Sequence, residues 1–544
     1  MREAMQKFTR TERFLSLFTM LRAGEGRSAF QLCQQSFAIM LAYYLLKVIR
    51  EPLILVDGTA ELKAYTTAMQ ALLLMLIVPV FAKLYQRSGQ RDEKHHLLKN
   101  TLLFFVLNLV VFAVAQQTGW RIGIAFYVWL GIFSVMVLAL FWAFATDLFN
   151  LKSGQRIFPI IAAASALGAL LGSGVAGWLY LQVGYSGVMY CAALLLLFPW
   201  WLSQRTEGDV PADSRSHVNT PPDAQAYPLL EGFQIVWRSQ YLARIACFVI
   251  LLNLINTNGE YILATFVAER AHGGSLGAAA SPDAYIALFY SRYLFVTTGL
   301  SLLMQLFLVS RIYDRLGIEG ALYILPVLML INYSLIALIP VLAVARSALI
   351  VENSVYYSLQ TTTRHALFLP LNRQEKYIAK HTIDTFFFRL GDVLSGGFVF
   401  VASVFAGLGI VGFVIINIVL ASVLLQLSRA IGRGHRVAAQ EHLDNRPPVL
   451  TVPVADVSIP AGQLSTLELN PDTFVDLDVG DALRYRAYAS HTDRLPHWIK
   501  FDGLNRRFDF HPPHTDRGRL KIRIVARDYD GLESDSSFTL TWGP

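Results

Sequence analysis

Between residues 29 and 430 the chain is a succession of apolar runs, parted by short polar turns and long enough for helices to cross a bilayer. A helix needs about 20 apolar residues to span the hydrocarbon layer, and within that layer each backbone amide must be bonded inside its own segment. The runs therefore predict membrane-spanning helices. They fall near 29–49, 63–84, 98–117, 121–148, 158–180, 185–203, 242–268, 284–309, 319–343, 347–369, 377–405 and 408–430, roughly twelve in all. Composition agrees: only 16% of the 544 residues are charged, against about 25% in a soluble domain. The first 28 residues mix Arg, Lys and Glu with apolar residues and lack a clean apolar core, so no cleavable signal is expected.

The charges orient the spans. Arg2, Lys7, Arg10, Arg13, Arg22 and Arg27 precede the first span, and Lys83, Arg87, Arg91, Lys94 and Lys99 fill the second turn. The third turn offers only Arg121, and the fifth has no Lys or Arg. Basic turns stay on the cytoplasmic side, so both termini are expected in the cytoplasm, with the protein in a bacterial inner membrane. The net charge of +7 reflects this asymmetry, and no nucleic-acid partner is expected. Cys33, Cys191 and Cys247 fall in predicted spans without metal-ligand spacing and read as small buried hydrophobes.

A polar stretch rich in Pro, Asp and Ser, 204–228, divides the spans six and six. The run Lys83-Leu-Tyr85-Gln-Arg87-Ser-Gly89 returns 228 residues later as Arg311-Ile-Tyr313-Asp-Arg315-Leu-Gly317. Two six-helix halves with matching basic turns are the plan of a duplicated secondary transporter, whose site lies between the halves. Two unrelated snorkelling turns would leave the same trace. The repeated run resembles the basic loop motif of the major facilitator superfamily. The expected organisation is an N-terminal segment 1–28, a six-helix half 29–203, a linker 204–241, a second half 242–436, a linker 437–445 and a tail 446–544.

Ionised groups within or at the edge of a span are costly and usually face a bundle interior or an aqueous cavity. Lys47, Arg50 and Glu51 close the first span, where Pro52 is expected to interrupt the helix. Snorkelling is the other reading of Lys47 and Arg50, although cations on the outer side run against the charge trend. Asp147 ends the fourth span, as a gating group or a plain helix-end carboxylate. Gly168, Gly172 and Gly177 form a small-residue ladder suited to close helix packing. The seventh span contains LINTNGEY, residues 254–261. In and beside it Asn253, Asn256, Thr257, Asn258 and Glu260 are expected to break the helix and face a cavity, because irregular backbone at membrane depth is tolerated where it lines one. In the tenth and eleventh spans stand Arg364, Lys380, Asp384 and Arg389. Lys380 and Asp384 are spaced to pair on one helical face, while Arg364 and Arg389 have no obvious local partner.

These stretches resemble the ATP/ADP translocase (nucleotide transporter) family, a branch of the major facilitator superfamily, over about residues 30–430. The most specific matches are Phe141-Trp142 through Asp147, the Pro370-Leu371 turn and the run Lys380, Ile383-Asp384, Arg389. The resemblance implies a phosphate-binding cation at Arg50, acidic residues at Asp147 and Glu260, and a lysine at Lys380. Where the family has Asp-Pro-Thr-Lys-Glu, this chain reads Thr361-Thr362-Thr363-Arg364-His365 and lacks both carboxylates.

After Arg436 the composition changes. Runs such as LRYRAYA and LKIRIVAR alternate in polarity between Gly, Pro and Asp turns, which predicts an all-β sandwich over 446–544. The stretches FVDLDVGDALRY, LPHWIKFDG and VARDYDGLESDSSFTLTW resemble the cadherin-like (dystroglycan-type) immunoglobulin-like domain. Asp476, Asp478, Asp481, Asp528 and Asp530 offer hard oxygen ligands for calcium, and equally the turn chemistry of sheet ends.

The expected fold is thus an all-α polytopic membrane protein of two six-helix halves, plus a C-terminal all-β immunoglobulin-like sandwich. The expected function is a secondary active transporter working by alternating access on a small anionic solute, such as a nucleotide or phosphorylated metabolite, by exchange or proton coupling. Lys47, Arg50, Asn256, Asn258, Glu260, Arg364, Lys380 and Arg389 are its candidate binding residues, and Asp147, Glu260 and Asp384 its gating or coupling groups. The alternatives are a proton-coupled carrier of an unrelated solute, with Glu260 titrating, and a non-transporting receptor or scaffold that presents the sandwich. Besides the lipid bilayer and the solute, the sandwich is expected to meet a protein or carbohydrate partner. No cofactor is expected, and no Walker loop, nucleophile elbow or zinc spacing points to an enzyme.

Overall fold

The computed structural model describes residues 25–544 apart from 57, 88–90, 150, 207–228, 274–280, 372, 445, 477–482, 490–493, 514–516, 529–530 and 544. Some further side chains inside helices, Asp147 among them, also lie outside the described set. The chain divides into two compact units, one of residues 1–367 with 379–432, the other of 368–378 with 433–544.

The first unit is helical: α1 Gly26–Leu55, α2 Ala60–Arg87, α3 Arg91–Gln117, α4 Gly123–Leu148 and α5 Leu151–Thr206 form its first half. The short α6 Leu229–Arg238 leads into α7 Gln240–His272, α8 Pro282–Phe307 and α9 Val309–Leu338. Then come α10 Leu342–Val355, α11 Thr361–Ala366, α12 Arg373–Thr382, α13 Phe388–Val404 and α14 Ile410–Asp444, the start of α12 and the end of α14 counting with the second unit. Single π-helical turns join α10 to α11 (Tyr356–Gln360) and α12 to α13 (Ile383–Phe387).

Among the described residues, nine helices are long and apolar enough to cross a membrane. The 56-residue α5 is two rods joined at Gly184, whose φ of 65° suits glycine alone among common residues. Counting α5 twice, and adding the more polar α1 and the π-broken stretch 342–366, recovers the twelve expected spans. In α9 the second basic run folds as a short helix that ends at Gly317, where φ is 66°.

Two expected boundaries are corrected. Pro52 does not interrupt the first helix: α1 continues to Leu55, and Val56 N–H donates to Pro52 O at 3.1 Å. A proline in a membrane helix removes one backbone bond and is tolerated where neighbouring helices hold the segment, and residues 48–55 are all buried. The expected linker 437–445 is largely helical, because α14 runs on to Asp444.

The glycine ladder sets how closely α5 approaches its neighbours. A Cβ on Gly168 would stand 2.3 Å from Phe37 O, and one on Gly172 would stand 2.7 Å from Leu41 O, both on α1. Gly177 meets α8 of the other half, where its N–H donates to Ser291 Oγ at 3.1 Å. That hydroxyl in turn donates to Ser173 O at 2.6 Å.

The sandwich of the second unit follows its alternating pattern. A four-stranded sheet orders β2 (Val457–Pro460), β9 (Glu533–Gly543), β8 (Gly518–Arg527) and β5 (Arg484–Ala489), with β2 parallel to β9. A three-stranded sheet orders β3 (Ser465–Glu468), β7 (Arg507–Phe510) and β6 (Ile499–Asp502). The two-strand pair of β1 (Val449–Leu450) and β4 (Phe474–Val475) completes it. Every second residue enters the core, so Phe508, Phe510, Ile522, Ile524, Phe538 and Leu540 pack between the sheets. Phe508 is wholly buried and lies 4.3 Å, centroid to centroid, from Phe501. Phe508→Ala should cost about 3–5 kcal/mol, seen as a lowered urea midpoint of residues 446–544, whereas Leu504→Ala on the exposed turn should leave the midpoint in place.

Of the calcium candidates, Asp478, Asp481 and Asp530 lie outside the described residues. Asp528 builds a turn: its Oδ1 accepts Gly531 N–H at 2.6 Å and Leu532 N–H at 2.7 Å. Among the described residues no group of three His, Cys, Asp or Glu side chains, Asp476 included, is placed to hold a metal.

Candidate solute site between the two halves

The end of α1 puts Arg50 and Glu51 side by side, and the start of α2 returns Lys63 to them. Glu51 Oε1 accepts Arg50 Nε at 3.1 Å and Nη2 at 2.6 Å, while Glu51 Oε2 stands 2.7 Å from Lys63 Nζ. The Arg50 guanidinium lies 4.1 Å over the Tyr127 ring, and Lys63 lies 5.2 Å from that of Tyr290. These are cation–π distances, and such contacts strengthen where water is excluded. It is largely excluded here, with side chains of Arg50, Glu51 and Lys63 only 11%, 3% and 5% exposed.

The trio lines a small, partly enclosed cavity between the halves. The first half contributes Lys47 as well, and the second half lines it with Glu260 of α7, Tyr290 and Tyr293 of α8, Asn353 of α10 and Tyr357 of the π turn. Three cations face two carboxylates, which leaves one net positive charge. Beside the cavity Tyr261 OH donates to Glu61 Oε1 at 2.9 Å, tying α7 to α2. A Cβ on Gly396 of α13 would stand 2.5 Å from Ala68 Cβ on α2. With the Ser291 contacts, these ties join the halves at the end of the bundle that bears the α1–α2 turn.

Of the expected binding residues, Lys47, Arg50 and Glu260 meet at this cavity; Asn256, Asn258, Arg364, Lys380 and Arg389 do not line it. LINTNGEY is not a break. α7 is continuous from Gln240 to His272, and Asn253, Thr257 and Asn258 bond to neighbouring helices. Asn253 Nδ2 and Thr257 Oγ1 each donate to Asp392 Oδ1 at 2.8 Å. Asn258, wholly buried, donates to Asn417 Oδ1 at 3.1 Å and accepts from Ser395 Oγ at 2.7 Å. Gly259 makes room for the Tyr333 hydroxyl, which a Cβ would approach to 2.4 Å. The polar run is a seam holding α7 to α9, α13 and α14, and only Glu260 reaches the cavity.

The two arginines read as partnerless each have a carboxylate: Arg364 stands 3.6 Å from Asp384, and Arg389 stands 3.6 Å from Asp392. Asp384 therefore faces Arg364 rather than its expected partner Lys380. It sits in a π turn, whose wider winding takes it off the i,i+4 line. The Asp147 side chain lies outside the described residues.

Sequence reasoning passed over Lys63, Tyr290, Tyr293 and Tyr357, and over Glu352. Lys63 had a signal, a cation four residues into a helix in a chain with few charges. Glu352 is fully buried in α10, where it accepts from Tyr333 OH at 3.2 Å and Asn332 Nδ2 at 3.4 Å.

Comparison with known proteins bears on this arrangement. A family model described as Major Facilitator Superfamily matches residues 33–368, and one described as a putative Ig domain matches 447–543. "ADP,ATP carrier protein 1" of Chlamydia muridarum (strain MoPn / Nigg) is 24% identical over 330 residues, 52% of this chain and 58% of that protein. The protein of the same name from Chlamydia trachomatis serovar D gives the same figures. The chain thus spans 58% of the length of these curated relatives. Among solved structures, the nucleoside transporter NupG aligns with a TM-score of 0.54 at 13% identity, over 75% of this chain and 99% of that one. An auto-inhibited peptide transporter of the POT family aligns at 0.52 and 11%, over 75% and 97%. At such identities the likeness is one of fold.

Proposed function

The chain belongs to the Major Facilitator Superfamily, a membrane carrier rather than an enzyme, and we propose that it moves a small anionic solute by alternating access. The observation that carries this reading is the convergence of Lys47, Arg50 and Lys63 on one cavity between the halves. A guanidinium binds phosphate or carboxylate through paired hydrogen bonds, and the tyrosines supply hydroxyls and ring faces. Nucleotides and other phosphorylated metabolites are the leading solutes, supported by the name of the curated relatives. On this reading the basic turns favour the outer side for the tied end of the bundle and the cytoplasm for both termini. The sandwich should then resist protease added to intact spheroplasts.

A thermal-shift screen of the purified protein tests the solute class. A ligand at a hundred times its dissociation constant stabilises the folded state by about 2.7 kcal/mol. Nucleoside mono-, di- and triphosphates and sugar phosphates are expected to raise the melting temperature, and the parent nucleosides and sugars are not. Stabilisation by neutral solutes alone would overturn the reading. Glu260 in the same cavity favours proton coupling as a second reading. On that reading Glu260→Gln flattens the pH dependence of uptake without lowering protein abundance.

A further inference from the structure

Glu51 stands where a solute anion would stand. Its two oxygens meet two cations on different helices, Arg50 on α1 at 2.6 Å and Lys63 on α2 at 2.7 Å. A carrier must pass its site through a closed state in each half-cycle, and there Arg50 and Lys63 lose water. Two buried cations without a counter-ion would oppose that closure, because an uncompensated buried charge is strongly destabilising. A site built of cations alone would therefore close only around an anionic solute, and such a carrier is confined to exchange.

We propose that Glu51 is the resident anion of this site, pairing Arg50 and Lys63 whenever no solute is bound, so that the unloaded carrier can reorient. A solute anion enters by taking the place of the Glu51 carboxylate on one or both cations. The carrier is thereby capable of net transport and is not restricted to exchange. This deepens the alternating-access reading above and depends on no particular solute.

Switching of the unloaded protein is the test. Thr118→Cys and Ala343→Cys, exposed beside the corresponding α3–α4 and α9–α10 turns, accept a dye pair in a background of Cys33→Ser, Cys191→Ser and Cys247→Ser. Single-molecule energy transfer in phospholipid vesicles without added solute then reports how often the halves exchange between two distances. The parent is expected to switch. Glu51→Gln should slow switching by at least about tenfold, since an uncompensated cation must be buried in the closed state. Glu51→Asp keeps the charge and should retain most of the rate. Glu51→Gln/Lys63→Gln removes a cation with the anion and should recover it.

A single distance in the unloaded parent, parental switching in Glu51→Gln, or equal slowing in Glu51→Asp would each overturn the proposal. If Glu51→Gln does not accumulate, the double variant must both fold and switch; a double variant that is also unfolded overturns it. Failure of the anionic-solute reading would show separately, as thermal shifts without preference for anions while these rates stand.

Discussion

Arg50→Ala is expected to weaken binding of an anionic solute roughly ten- to a hundredfold, because a charge-assisted hydrogen-bonded pair contributes about 1.5–3 kcal/mol. The variant should still fold. Glu51 keeps its contact with Lys63 at 2.7 Å, so no carboxylate is left unpaired. Arg50→Lys should recover part of the affinity, since an ammonium keeps the charge but lacks the planar fork that grips two oxygens. The Tyr127 ring, 4.1 Å below the guanidinium, also suits a flat cation better than a compact one. Affinity should be measured per folded molecule, by titrating the thermal midpoint or by calorimetry with the solute that the screen identifies. Parental affinity in Arg50→Ala would remove Arg50 from the site.

Gly168→Ala is expected to deplete folded protein severely, although it adds one methyl group. That methyl would stand 2.3 Å from Phe37 O and 3.1 Å from Phe37 Cα, both backbone atoms that cannot rotate aside. α1 and α5 would have to separate along their whole contact, and overpacking of this kind costs about 1–3 kcal/mol or more. Gly397→Ala on α13 is the matched control, since nothing lies within 4 Å of its added Cβ. There alanine should hold or raise stability, because glycine in a helix interior is less favourable by up to about 1 kcal/mol. Fluorescence-detected gel filtration of the two variants provides the comparison. Equal monodisperse yields would mean that the α1–α5 contact is looser than the structure has it.

The amino-acid order by itself determined the architecture. Spans, halves and sandwich were all legible because each rests on local periodicity: twenty-residue apolar runs must cross a bilayer, and two-residue alternation must form half-buried strands. Arg50, Lys47 and Glu260 were legible for a related reason, since a charge at membrane depth needs a polar neighbour wherever the helices go.

Only the tertiary structure decided who that neighbour is. Asn253, Thr257 and Asn258 read as a broken, site-facing segment because periodicity along one helix cannot show Asp392, Ser395 and Asn417 waiting on two others. Arg364 read as partnerless because its carboxylate is brought up by a π turn, whereas Arg389 pairs with Asp392 three residues on in the same helix, a local spacing that the sequence already displayed. Lys63 was passed over because only the α1–α2 turn sets it against Glu51. Burial drives a segment into the membrane whatever surrounds it, whereas an ion pair acts over a few ångströms and exists only where packing has already placed both partners.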